Sequence, residues 1–228
     1  MRRLPFLALA IVALAFPAGA TARVQELGTG GARVSVTCPA NCQALSRTTG
    51  YQGRAGALRN PFLIRGAGHI VAFTVTLGKP DARQVNYFTN DLGFGEPQVR
   101  LSILRKGKRR KTRLNHRLVR QSDIFPIERY YGSSPTFVLD EPLRVRKGYI
   151  VALTSPTWAP TFAAGTSQAP LGRSNWWRSS RQKGRCDNVS QRADQRQLGA
   201  QTRFGCTYFR ARLLYTATYI PDPSPTVR

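Results

Sequence analysis

Apolar and polar positions alternate with a period of two along most of this chain, and Gly and Pro punctuate the short apolar runs. That is strand patterning. Its clearest stretch is 141–160 (EPLRVRKGYIVALTSPTWAP), which predicts a strand, a tight turn at Lys147-Gly148 and a second strand over 149–154. The second strand, YIVALT, is the apolar, β-branched run that a buried sandwich strand requires. Pro156 and Pro160 predict its end and carry Trp158 onto a loop. A similar hairpin is predicted from 62–64 (FLI), a Gly66/Gly68 turn and 69–77 (HIVAFTVTL). The run IVAFT at 70–74 echoes IVALT at 150–154.

The remaining elements follow the same reading. Residues 32–37 (ARVSVT) alternate as a first strand, and the Gly- and Arg-rich 48–60 reads as loop. Residues 81–92 (DARQVNYFTNDL) give the one short helix, with Val85, Phe88 and Leu92 at helical spacing and Gly93 as its stop. Residues 98–105 and 112–120 form a hairpin around the basic turn 106–111. There Val99, Leu101 and Ile103 face inward opposite Leu114 and Leu118. A short strand at 136–139 leads into the opening stretch. Residues 155–185 read as a long loop, and such a loop in a compact domain is a place to look for function. A last long strand over 206–220 sets Phe209, Ala211, Leu213, Tyr215, Ala217 and Tyr219 on one face. The three prolines of 221–228 mark a disordered tail. Many strands, one helix and no βαβ rhythm define an all-β, antiparallel β-sandwich or jelly-roll-like domain over 21–220.

Composition and cysteines refine this picture. Arg2-Arg3, the apolar run 4–16 and the small residues Ala18-Gly19-Ala20 form a secretory signal peptide over 1–20. Export places the protein outside the cell, with wall association an option and no transmembrane anchor after cleavage. Four cysteines in an exported chain predict disulfides. Three pairings are open in principle, and the spacing favours Cys38 with Cys42 and Cys186 with Cys206. The chain carries 35 basic against 11 acidic residues, a formal net charge of +24. Such a surface draws polyanions through a long-range, salt-sensitive field. The cations are mostly arginine, which is also what a GC-rich genome writes by default.

Charge is densest between Arg100 and Arg120, where ten residues are Lys or Arg and no acid interrupts. Lys108, Arg109, Arg110 and Lys111 at the hairpin tip suit contacts to phosphate or carboxylate groups. The three tryptophans, Trp158, Trp176 and Trp177, all fall in the predicted loop, with Arg178 beside the last pair. Exposed, they would stack on sugar rings; packed, they would plug the end of the sandwich. His69 and His116 stand alone and make no metal site. No nucleophile elbow, P-loop or dinucleotide fingerprint occurs, so no cofactor is expected.

The signal peptide, RLSILR at 100–105, the LRVRKGYIVALTSPTWAP block and the late tryptophan and cysteine motifs together resemble uncharacterised secreted β-sandwich proteins of high-GC bacteria. The resemblance implies the fold and carries no activity. Tyr208-Phe209-Arg210-Ala211 also looks like the Tyr-Phe-Lys-Ala motif of one family of jelly-roll polysaccharide lyases, whose other two motifs, an RTELR-like strand and Gln-x-His, are absent. The expectation is a secreted, non-enzymatic sandwich that binds an acidic or neutral polysaccharide or wall polymer, with no specific nucleic-acid partner. Its rivals are a polysaccharide-active enzyme and a structural surface protein without a ligand.

Overall fold

The structure is a computed structural model, and it describes residues 23–29, 34–164 and 172–223. The expected signal peptide lies outside them, as do residues 224–228 of the expected tail. In chain order, β1 (Gln25–Leu27), β2 (Leu45–Ala55), β3 (Leu58–Arg59) and β4 (Gly68–Val75) precede the one α-helix, α1 (Ala82–Asn86). A π-helical turn over Tyr87–Asp91 extends α1. Then come β5 (Gln98–Lys106), β6 (Asn115–Gln121), β7 (Phe125–Pro126), β8 (Thr136–Val145) and β9 (Tyr149–Ala159). The last strands are β10 (Phe162–Ala164), β11 (Asn175–Ser179), β12 (Gln201–Arg203), β13 (Cys206–Phe209), β14 (Ala211–Leu213) and β15 (Tyr215–Pro221).

The strands pair antiparallel, as the period-two pattern predicts. One sheet has the order β1-β15-β4-β8; the larger runs β12-β6-β5-β9-β2-β11-β13, and β10 pairs β14 as a short ribbon. Ile70, Phe73 and Val75 of β4 meet Leu101 and Ile103 of β5 and Val151 and Leu153 of β9 in one core. Tyr215 ties the two sheets together by donating its hydroxyl to the Val151 carbonyl at 3.0 Å. An all-β sandwich-like fold with one short helix is therefore what the chain builds.

The larger sheet closes on itself. β12 pairs β6 and β13 pairs β11, which stand at opposite sides of the strand order. Only Phe204 and Gly205 separate β12 from β13. Laid flat, six strand spacings of about 4.8 Å would put those edges some 29 Å apart. Three residue steps reach about 11 Å. The sheet must curl until Phe204-Gly205 bridges its edges, and Phe204 donates its amide to Leu114 beyond β6 while Gly205 donates to Arg181 beyond β11. Inside the curl the rings of Tyr51, His116 and Phe204 gather, with His116–Phe204 centroids 4.4 Å apart. A hydrogen-bonded ladder of Thr49, Thr154, Ser102 and Gln121 runs alongside, and Gln195 from segment 180–200 closes it.

Several sequence expectations need correction. Residues 48–60, read as loop, fall largely within β2, a strand of 11 residues. The opening stretch is no hairpin: β8 pairs β4 along its length while β9 pairs β5 and β2 in the other sheet. Lys147-Gly148 is thus a crossover between sheets. Residues 62–64 likewise lie against β9, through Leu63 and Ile150, and not against β4. Residues 34–37 are not a strand. The run 206–220 is three strands, broken at Arg210, whose φ is +57°, and at Leu214. Phe209 consequently leaves the inward face and is 59% exposed. The helix forms where expected, started by an Asp81–Gln84 capping box.

Candidate functional site

The basic hairpin forms where the sequence predicts, but Leu114 stays in the turn and Leu118 lies opposite Leu104, not Val99, Leu101 or Ile103. β5 and β6 pair from Ser102↔Gln121 to Lys106↔His116. Lys106, Lys108, Arg109, Arg110, Lys111 and Arg113 are all exposed around a short 3₁₀ turn at Arg110–Thr112. None of them forms an ion pair among the described residues, where ion pairs run through Asp194 and Asp222. The outcome is a finger of unneutralised cations. Its base is anchored because Val99, Leu101, Ile103, Leu104 and Leu118 are fully buried.

The tryptophans do not share one face. Trp158 lies within β9 and is 0% exposed, donating Nε1–H to the Gly95 carbonyl at 3.0 Å and stacking on Phe88 at 4.8 Å. Pro156 does not end that strand. It falls at the β2–β9 bulge between Ser46/Trp158 and Thr48/Ser155, where no ladder bond needs its missing N–H. Trp177 is 4% exposed and sandwiched between Phe162 and Tyr208, whose ring stacks at 4.2 Å. Neither Trp158 nor Trp177 can stack on an external ligand. Trp176 is half-buried on the opposite side of β11, over Gly53, with the Arg178 guanidinium 5.6 Å above its ring. Trp158 sits opposite Ser46 and Trp176 opposite Arg54, eight residues apart along β2. That is about 26 Å of strand.

A cleft of about 570 Å³ was not foreseen. One wall comes from Gln43–Ser46 and the Tyr87–Leu92 turn, another from β10 and β14, and a third from Tyr208 to Arg210 and the Cys186–Val189 bend. Phe88, Leu92, Phe162 and Trp177 make its interior apolar, and Tyr87 (49%) and Phe209 (59%) stand exposed at its rim. The signal for Phe209 lay in the alternation of 206–220, misread because Arg210 breaks it. Arg181 lines the cleft yet is 4% exposed. Its guanidinium donates to the carbonyls of Ser46, Asn188 and Gln191. Burial lowers its pKa, with Tyr208 opposing the shift. Tyr208 donates its hydroxyl to the Cys186 carbonyl at 2.6 Å, and burial raises its pKa.

Both expected disulfides form, Cys38–Cys42 and Cys186–Cys206. The second fastens the Cys186–Val189 bend to β13 and so shapes one wall of the cleft. The histidines stay out of it. His69 lies in the other sheet near Asp222, and His116 is buried inside the curled sheet. The motif 208–211 does line the cleft, but with its tyrosine proton already committed and no imidazole beside it. Among the described residues no group of three His, Cys, Asp or Glu could hold a metal ion, and no helix is long and apolar enough to cross a membrane. Compared with family models, curated proteins and solved structures, the chain matches none, and no role is carried over from a relative.

Proposed function

We propose that this protein is an exported β-sandwich that binds an anionic polymer of the cell envelope or its surroundings, such as an acidic polysaccharide, through the β5–β6 finger. One observation supports this above the others. Six exposed Lys and Arg side chains cluster at one hairpin tip, and among the described residues no carboxylate is paired to any of them. A polymer carrying a charge on each repeat meets several of these cations at once, and the net charge of +24 steers it there. Arginine forks add bidentate contacts to carboxylate or phosphate. Two disulfides fit an oxidising, extracellular setting. Aromatic stacking is reduced to Trp176, held under Arg178.

The test is co-sedimentation with insoluble acidic and neutral polysaccharides at low salt and at about 0.5 M salt, where screening shortens to a few ångströms. Wild-type protein should pellet with the acidic polymer at low salt and be released at high salt. A fourfold variant, Lys108, Arg109, Arg110 and Lys111 each to Gln, should stay in solution while its thermal unfolding is unchanged. If that variant pellets like wild type, the finger is not the contact. Pelleting with neutral polymer at high salt, lost in Trp176→Ala, would replace charge with stacking.

A further inference from the structure

The unforeseen cleft carries an inference that is independent of the finger. We infer that it is a binding site for a single-chain amphiphile, a hydrocarbon chain ending in a carboxylate or phosphate. At about 570 Å³ it falls within the roughly 300–1,000 Å³ typical of small-ligand sites. The chemistry of its lining decides the ligand class. Phe88, Leu92 and Val189 present hydrocarbon, with the buried Leu45, Phe162 and Trp177 lining the interior behind them.

The buried and half-buried polar side chains among them are already spent on the protein itself, while Gln43, Tyr87, Asp187 and Arg210 are exposed. Ser46 Oγ accepts from Arg181 at 3.2 Å. Thr48 Oγ1 pairs with Ser180 Oγ at 3.0 Å. Tyr208 donates to Cys186. A sugar entering here would bury hydroxyls without partners, which is unfavourable. A methylene chain asks for none. The rim supports the same reading, since Tyr87, Phe209 and Val189 are exposed apolar side chains that a bound chain would cover.

Charge sets the polarity of the head. Two arginines line the cleft against one acid, Asp187. Arg181, in the floor, is bonded to carbonyls and a hydroxyl and has no carboxylate in ion-pair range among the described residues. Its charge is dispersed over dipoles, with Asp187 acting on it only at longer range, and favours an anion nearby. Arg210 stands exposed at the mouth, its left-handed backbone held by its amide bond to the Asn175 carbonyl at 2.8 Å. The head group meets Arg210 while the chain lies along Phe88, Leu92 and Phe162.

The test is calorimetric titration with dodecanoate below its micellar concentration, at about 0.5 M salt so that the finger is screened. Hexanoate, dodecanol and maltohexaose are the comparison probes. Dodecanoate should bind one to one, and each buried methylene removed toward hexanoate should weaken binding about fourfold. Arg210→Gln should weaken dodecanoate and leave dodecanol unchanged. Ala211→Phe, which fills the cleft, and Val189→Asp, at an exposed wall position, should each weaken dodecanoate at least tenfold without altering thermal unfolding. Binding of maltohexaose in place of dodecanoate would overturn the ligand class. Dodecanoate binding untouched by both cleft variants, or no heat from any probe, would overturn the site.

Discussion

His116 shows how one residue reports on the interior of the curled sheet. Its ring lies between Tyr51 and Phe204, and Nδ1 donates to the Leu114 carbonyl at 2.9 Å. Nε2 is buried without a hydrogen-bond partner among the described residues. Burial is the largest cause pushing its pKa down to about 4, the Leu114 bond opposes it, and Lys106 and Arg178 add repulsion. The folded pKa therefore lies below the unfolded value of about 6.5. Above pH 6.5 both states are neutral and the group has no effect on stability. As pH falls from 6.5 to 4, the unfolded chain takes up a proton that the folded chain refuses, so stability drops by about 3 kcal/mol in total. Urea unfolding between pH 7 and 4 should show this loss in wild type and a shallower slope in His116→Gln. Equal slopes would mean that His116 titrates normally in the fold.

At the scale of elements, β2 is the instructive case. Gly50 and Gly53 made 48–60 look like loop, and both glycines are required by ring packing. A Cβ on Gly50 would stand 2.7 Å from Trp177 Cζ3 and 3.2 Å from Leu213 Cδ1, atoms of two buried side chains. Gly50→Ala should cost about 1–3 kcal/mol in urea unfolding, the usual range for overpacking a core. A variant within 0.5 kcal/mol of wild type would show that Trp177 can yield. The same physics explains what was legible in the sequence. Alternation shows which face a side chain takes, so β4, β5 and β9 and the burial of Val99, Leu101 and Ile103 could be read directly. It does not name the neighbour, and the expected β8–β9 hairpin is a crossover instead. The exposed finger could be read because charge at a hairpin tip needs no partner. The cleft could not, because its walls come from segments more than a hundred residues apart and Trp158 and Trp177 turn into the core.

At the scale of the molecule, the two-residue bridge at Phe204-Gly205 holds the large sheet closed, and two features depend on it. The curl shields His116, and segment 180–200 stays seated on the sheet through Arg181, which donates to the Ser46 carbonyl, and Gln195, which donates to Thr49 and the His116 carbonyl. Gly205 has no room to change: a Cβ there would lie 2.4 Å from the Lys183 amide nitrogen and 2.8 Å from the Arg181 carbonyl, both backbone atoms. Backbone cannot swing aside as a side chain does, so Gly205→Ala must lift the bridge from β11. The Cys186–Cys206 disulfide acts on the same bridge through the unfolded state. Its sequence separation of 20 implies about 3 kcal/mol from loop closure. The separation of 4 for Cys38–Cys42 implies about 2. Replacing both Cys186 and Cys206 by Ala should therefore destabilise more than replacing Cys38 and Cys42. The decisive readout is the His116 ring by NMR titration. If Phe204-Gly205 closes the sheet, Gly205→Ala should raise the His116 pKa from about 4 toward its ordinary value, because water reaches the ring once the bridge lifts. The Cys38 and Cys42 variant, whose loop lies outside the curl, should leave it unmoved. An unchanged titration in Gly205→Ala would mean that β6 and β11 enclose the ring without the bridge.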